Sequence, residues 1–144
     1  MRNVRNLLIA IPLFLLSCSK GGDSPTPTPP TPPTPPTPTE AAVAFTVNVD
    51  PGAGNILGVV GNSQPIIVKV SSTLPSAGVT IGVTVLKDAD NSTVFNNSIS
   101  TVNADNTITI TGLTPGALCT ATVVVASKAT ATNTKALIFK LAAK

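Results

Sequence analysis

Residues 107–125, TITITGLTPGALCTATVVV, decide the fold. Ile108 and Ile110 alternate with Thr107, Thr109 and Thr111, and after a break Cys119, Ala121, Val123 and Val125 alternate with Thr120 and Thr122. Successive side chains of a strand point to opposite faces, so a period of two gives each segment one apolar and one polar face. Threonine keeps β-propensity high while leaving the outer face polar. Between the two segments lies Gly112-Leu113-Thr114-Pro115-Gly116, whose glycines and proline signal a turn.

The same alternation extends in both directions. Val43, Phe45, Val47 and Val49 form one inward set, Ile66, Val68 and Val70 the next, and Val79, Ile81, Val83 and Val85 a third; Leu137, Phe139 and Leu141 form the last. Residues 94–100 read as a weaker strand, and turn signals at 74–78, 87–91 and 103–106 separate the runs. Seven short strands in about 100 residues predict an all-β, seven-stranded sandwich over residues 40–144. No helical period of useful length follows residue 18.

Residues 107–125 resemble the E strand, E–F turn and F strand of a fibronectin type III domain, where a Leu-x-Pro-Gly-x-x-Tyr motif opens the F strand. Leu113, Pro115 and Gly116 match that motif, and Cys119 stands in the place of the tyrosine. The second strand reads Ile66-Ile67-Val68-Lys69-Val70, without the family's tryptophan. The resemblance implies a fibronectin type III or immunoglobulin-like sandwich lacking the tyrosine-corner hydrogen bond.

The N-terminal third is of another kind. Arg2 and Arg5 precede an apolar run at 7–16, and that pattern is a signal peptide over residues 1–17. As a helix the run would reach about 15 Å, half of a bilayer core, so it is too short to span. Leu15-Leu16-Ser17-Cys18 resembles the lipobox of bacterial lipoproteins, which implies cleavage before Cys18 and acylation of its thiol. The alternative, an ordinary secretory signal with Cys18 a bystander, lacks an A-x-A cleavage site.

Residues 18–39 carry SKGGDS after the cysteine and then only proline and threonine, a composition that favours an extended polyproline II stalk. This arrangement is similar to surface lipoproteins of the Bacteroidota type. The expected setting is the cell envelope, with the lipid in the outer membrane and the domain on its periplasmic face or at the cell surface. Threonines 28, 31, 34 and 37 recur with the period of the helix, and the stalk is either glycosylated there or a plain protease-resistant rod.

Composition narrows the function. The formal charge is +3, and removing Arg2 and Arg5 leaves seven lysines against six acids. The mature chain has no arginine, tryptophan, tyrosine or histidine, so a basic face with stacking aromatics, as nucleic-acid binding needs, is excluded. Without histidine neither a Ser-His-Asp nor a Cys-His arrangement can form, and the commonest zinc ligand is missing. Cys119, inward among valines, reads as an inert thiol. Asp88, Asp90 and Asn91 offer oxygen ligands, yet no glycine-plus-glutamate pattern follows, and Asx turn chemistry explains them. No catalytic residue, metal or cofactor is expected.

Two functions remain. One is a non-catalytic interaction or adhesion module anchored through Cys18 and meeting a protein or glycan partner. The other is a carbohydrate-binding accessory lipoprotein, for which Phe95 is the sole aromatic outside an inward register. Strand parity predicts that residues 52–64 and the Asp88–Asn91 turn gather at the end of the domain remote from Glu40, where a partner can reach them; the alternative is that residues 56–60 form an extra strand pairing as a hairpin, which would reverse every later assignment.

Overall fold

A computed structural model of the chain describes residues 39–144; the expected signal peptide, the lipobox-like segment with Cys18 and nearly all of the expected stalk lie outside the described residues. The described residues are all-β. They form β1 (Phe45–Val47), β2 (Ile56–Val59), β3 (Gln64–Val70), β4 (Val79–Lys87), β5 (Thr93–Thr101), β6 (Asp105–Ile110), β7 (Leu118–Ser127) and β8 (Thr134–Ala143). One sheet has the order β1-β3-β6, and the other the order β2-β8-β7-β4-β5. The two sheets enclose one apolar core as a sandwich.

The alternation seen in the sequence is what builds that core. Val79, Ile81, Val83 and Val85 of β4 are fully buried, and Ile81 and Val83 pair across β7 with Val125 and Val123, themselves fully buried. Opposite them, Ile66 and Val68 of β3 and Ile110 of β6 close the core from the smaller sheet. Each such side chain contributes about 1.5–3 kcal/mol by leaving water. Leu113 of the turn motif is buried as well, and it is the anchor of the connection between β6 and β7.

Among the described residues there are eight strands where seven were expected. Residues 52–64, expected to be one loop, contain β2, which pairs parallel with β8 in the register Leu57↔Leu141 and Val59↔Ala143. The chain leaves β1 beside β3, turns through Gly52 and Gly54 at φ of +81° and +79°, and joins the edge of the other sheet. The alternative of a strand at residues 56–60 is the one the structure adopts, with only Leu57 and Val59 facing inward, but it pairs parallel with β8 and not as a hairpin.

Because β2 runs in the same direction as β1, this crossover does not invert the later strands. The reversal comes at residues 60–63, where Gly61 has a φ of +84°. The Asp88 turn therefore lies at the end opposite Glu40. Leu113 N–H donates to Asn62 O, Gly116 N–H to Ala143 O, and Asp88 N–H to Leu118 O, which ties one set of turns together. At the other end Thr130 Oγ1 and Asn133 Nδ2 donate to the Glu40 carboxylate at 2.9 and 2.6 Å. The ten residues of β7 separate the two ends by about 33 Å at 3.3 Å per residue.

Candidate functional site

At the remote end, the turn after β4 is held by its own side chains. Asp90 Oδ1 accepts from the Ser92 N–H at 3.0 Å and from Ser92 Oγ at 2.6 Å, while Asn91 takes a left-handed φ of 56°. Asparagine tolerates that conformation better than other residues with a Cβ. The Ser92 bonds also hold the Asp90 carboxyl below its usual value.

Asp88 points elsewhere, over the outer face of the larger sheet. Its carboxylate accepts from Lys140 Nζ at 2.5 Å and from Thr120 Oγ1 at 2.6 Å, and Lys140 also donates to Thr120 Oγ1 at 2.8 Å. The bonds from Lys140 and then Thr120 hold the Asp88 carboxyl below its usual value. The cluster acts as a strap from the β4–β5 turn across β7 to β8. The structure thus separates Asp88 from Asp90: each carboxylate is committed to a different partner. Among the described residues no group of three or more histidine, cysteine or acidic side chains is placed to hold a metal ion.

Beside the strap lies an apolar cleft of about 360 Å³, lined by residues 52–56, Leu118 and residues 138–140. The crossover into β2 forms one wall and the outward side chains of β7 and β8 the floor. Ile56 and Ile138 are 54% and 64% exposed, and Leu118 is 37% exposed. Lys140 pairs with Ile56 on one side and Thr120 on the other, so the strap borders the cleft directly. The sequence places Ile56 in the 52–64 loop or in an extra strand at 56–60, and it does not single out Ile138 or Leu118. The available signal was an apolar residue at an outward parity, Ile138 between Leu137 and Phe139, in a strand whose inward set was already complete.

Phe95, the sole aromatic candidate for the carbohydrate-binding alternative, with core or edge packing the commoner role of such a residue, is not an outward platform. It pairs with Val85 on the inner face of β5 and packs half-buried against the core, together with Val94 and Ile99. The register shifts at this point of the β4–β5 ladder, which places Val94 and Phe95 together against the core. Phe139 is buried and Phe45 half-buried, so among the described residues no aromatic ring is laid open for a sugar to stack on.

Cys119 lies one residue before Thr120 on the opposite face of β7. Its side chain is 1% exposed, and burial first, then the negative charge of Asp88, pushes the thiol up from its usual range. The thiolate needed for nucleophilic chemistry is therefore disfavoured. No family model and no curated protein matches this chain.

Proposed function

We propose that the chain is a membrane-anchored lipoprotein that presents a non-catalytic, immunoglobulin-like interaction module at the cell envelope. The anchor rests on the signal-like segment and Leu15-Leu16-Ser17-Cys18, with lipid on Cys18 and the proline-threonine segment as spacer. The immunoglobulin-like type is supported by strand order: β1, β3 and β6 fit strands A, B and E, and β4, β7 and β8 fit C, F and G. Leu113, Pro115 and Gly116 fall between the strands corresponding to E and F, as the motif requires.

The observation that carries the interaction reading is the cleft of Ile56, Leu118 and Ile138 beside the Asp88–Lys140 strap. Apolar side chains exposed together in a concave site, rimmed by polar groups, mark contact surfaces. Lys140 is neutralised by Asp88, so the rim favours a protein partner with an apolar side chain at its centre rather than a strongly charged one.

Two measurements test this reading. C18S should move the protein from the membrane to the soluble fraction and abolish acyl labelling; membrane retention of that variant removes the anchor. I138D, at a position 64% exposed, should abolish capture of the envelope protein that the unaltered chain binds, with no change in melting temperature. Equal capture by both forms removes the cleft from the interaction.

A further inference from the structure

The larger sheet ends on β5, nine residues of sequence TVFNNSIST with no charge and no proline. Natural sheets protect such edges with charged side chains, proline or very short strands. The other edges here follow that rule: β1 has three residues, β2 has four with the Lys144 side chain lying over Gly58, and β6 opens with Asp105. β5 is the exception.

Its free hydrogen-bonding groups can be assigned. Asp88 N–H donates to Leu118 O and Lys87 N–H to Ser92 O, so along β4 the even-numbered residues address β7 and the odd-numbered ones address β5. In the register Val85↔Phe95, Val83↔Asn97 and Ile81↔Ile99, the backbone groups of Phe95, Asn97 and Ile99 are taken by β4. Those of Asn96, Ser98 and Ser100 therefore point away from the sheet.

We propose that this edge pairs antiparallel with β5 of a second copy of the chain about a two-fold axis through Asn97. That register sets Asn96 opposite Ser98 of the second copy and Ser98 opposite Asn96, so that free groups meet free groups in two reciprocal pairs of backbone hydrogen bonds. On the inner face Phe95 meets Ile99 of the second copy, and Ile99 meets Phe95. Both side chains are half-buried in the single copy, and the pairing covers their remaining apolar surface. At the axis the two exposed Asn97 carboxamides can each donate to and accept from the other.

The strand thus reads the same chemistry from both ends, as an isologous interface demands. Charge selects the same occupant, because two copies of β5 bring no like charges together, whereas a strongly charged partner strand finds no counter-charge on it. The shift at Val94 confines the regular edge to the residues after it and so restricts the register.

The test uses the full chain in detergent. Sedimentation should give a dimer. N97C should form an intermolecular disulfide on mild oxidation, because residues facing each other in a non-hydrogen-bonded pair have Cα atoms about 4.5 Å apart, within disulfide range. The parent chain and S100C, which faces Val94 rather than itself, should not gain that cross-link. S98P removes an N–H that faces away from β4, a loss an edge strand tolerates, and should leave a folded monomer. A monomeric parent chain, a dimer that persists in S98P, or cross-linking of N97C no greater than that of S100C overturns the proposal. Should S98P fail to fold, the comparison of N97C with S100C decides alone.

Discussion

Two glycines with the same backbone conformation face opposite amounts of space, and alanine at each position separates strain from crowding. Gly78 and Gly116 have φ of +80° and +79°. A Cβ at Gly116 would meet nothing within 4 Å, whereas at Gly78 it would lie against the Thr101 carbonyl oxygen and 3.0 Å from Val102 Cγ1. A left-handed conformation costs an L-residue about 1–2 kcal/mol, and the stiffer unfolded chain returns about 0.4–1 kcal/mol. G116A should therefore lose about 1 kcal/mol. G78A carries the same cost and must also push apart the connection into β4 and the end of β5. Gly78 N–H is held by Pro75 O and its carbonyl by Lys128 N–H, at 2.8 and 3.1 Å, so three segments resist the shift. Overpacking of this kind adds about 1–3 kcal/mol. In thermal unfolding followed by circular dichroism, G78A should melt on the order of 10 °C below G116A. Equal melting temperatures for the two variants would refute the claim that backbone contact at Thr101, rather than φ, governs this position.

Other positions give sharper contrasts at lower cost. V83A, at the fully buried centre of β4, should lose about 2–3 kcal/mol in urea denaturation, while T84A on the outward face next to it should stay within about 0.5 kcal/mol. Asn133 accepts from the Val43 N–H at 2.8 Å and donates to Glu40 and to Ala41 O, so N133A should speed hydrogen exchange at Val43 without unfolding the core; unchanged protection there would show that the clasp does not hold the segment. Hydrogen bonding from Ser127 first, and then from Thr130 and Asn133, lowers the Glu40 pKa below its ordinary 4.5. Stability from this group is then present above that value and lost as pH falls through the lower folded value, so E40Q should flatten part of the acid limb of stability, read as the difference from the parent chain. Cys119 should react with a thiol reagent only as fast as the domain opens, and labelling of the native protein at the rate of a free thiol would contradict its burial.

The strands that were legible in the sequence are those buried on one face only. β3, β4, β6 and β7 alternate in burial, and on their solvated outer faces Lys69, Thr80, Thr84, Thr107, Thr109, Thr120 and Thr122 stand between apolar positions, although Ile67, Gly82 and Val124 also face outward. β5 was weaker for a physical reason: as an edge strand it buries little, and its inward position at Asn97 carries a polar side chain. β2 was legible only as an alternative, and its partner not at all, because parallel pairing to β8 is a long-range event with no hairpin turn to announce it and its four residues supply only two inward side chains. Strand parity still placed the Asp88 turn correctly, since the crossover into β2 preserves direction and the turn at 60–63 supplies the reversal assigned to the whole segment.

The candidate site was legible only as far as turn chemistry reached. Asp88 and Asp90 sit three positions or fewer from Asn91 in one turn, and nothing in that spacing says that one carboxylate caps Ser92 while the other reaches across β7 to Lys140 of β8. The cleft depends on the same long-range geometry. β2 adds to the sheet on the far side of β8, so its crossover rises beside the outward side chains of β8 and converts a flat threonine-bearing face into a concave apolar one. Strands β4, β7 and β8 alone would have left Ile138 a single exposed side chain of no consequence. The proposed contact surface thus arises where a four-residue strand joins the sheet, and the edge at β5, at the other end of the same sheet's strand order, is left free for the proposed pairing with a second copy while the cleft at β2 stays open.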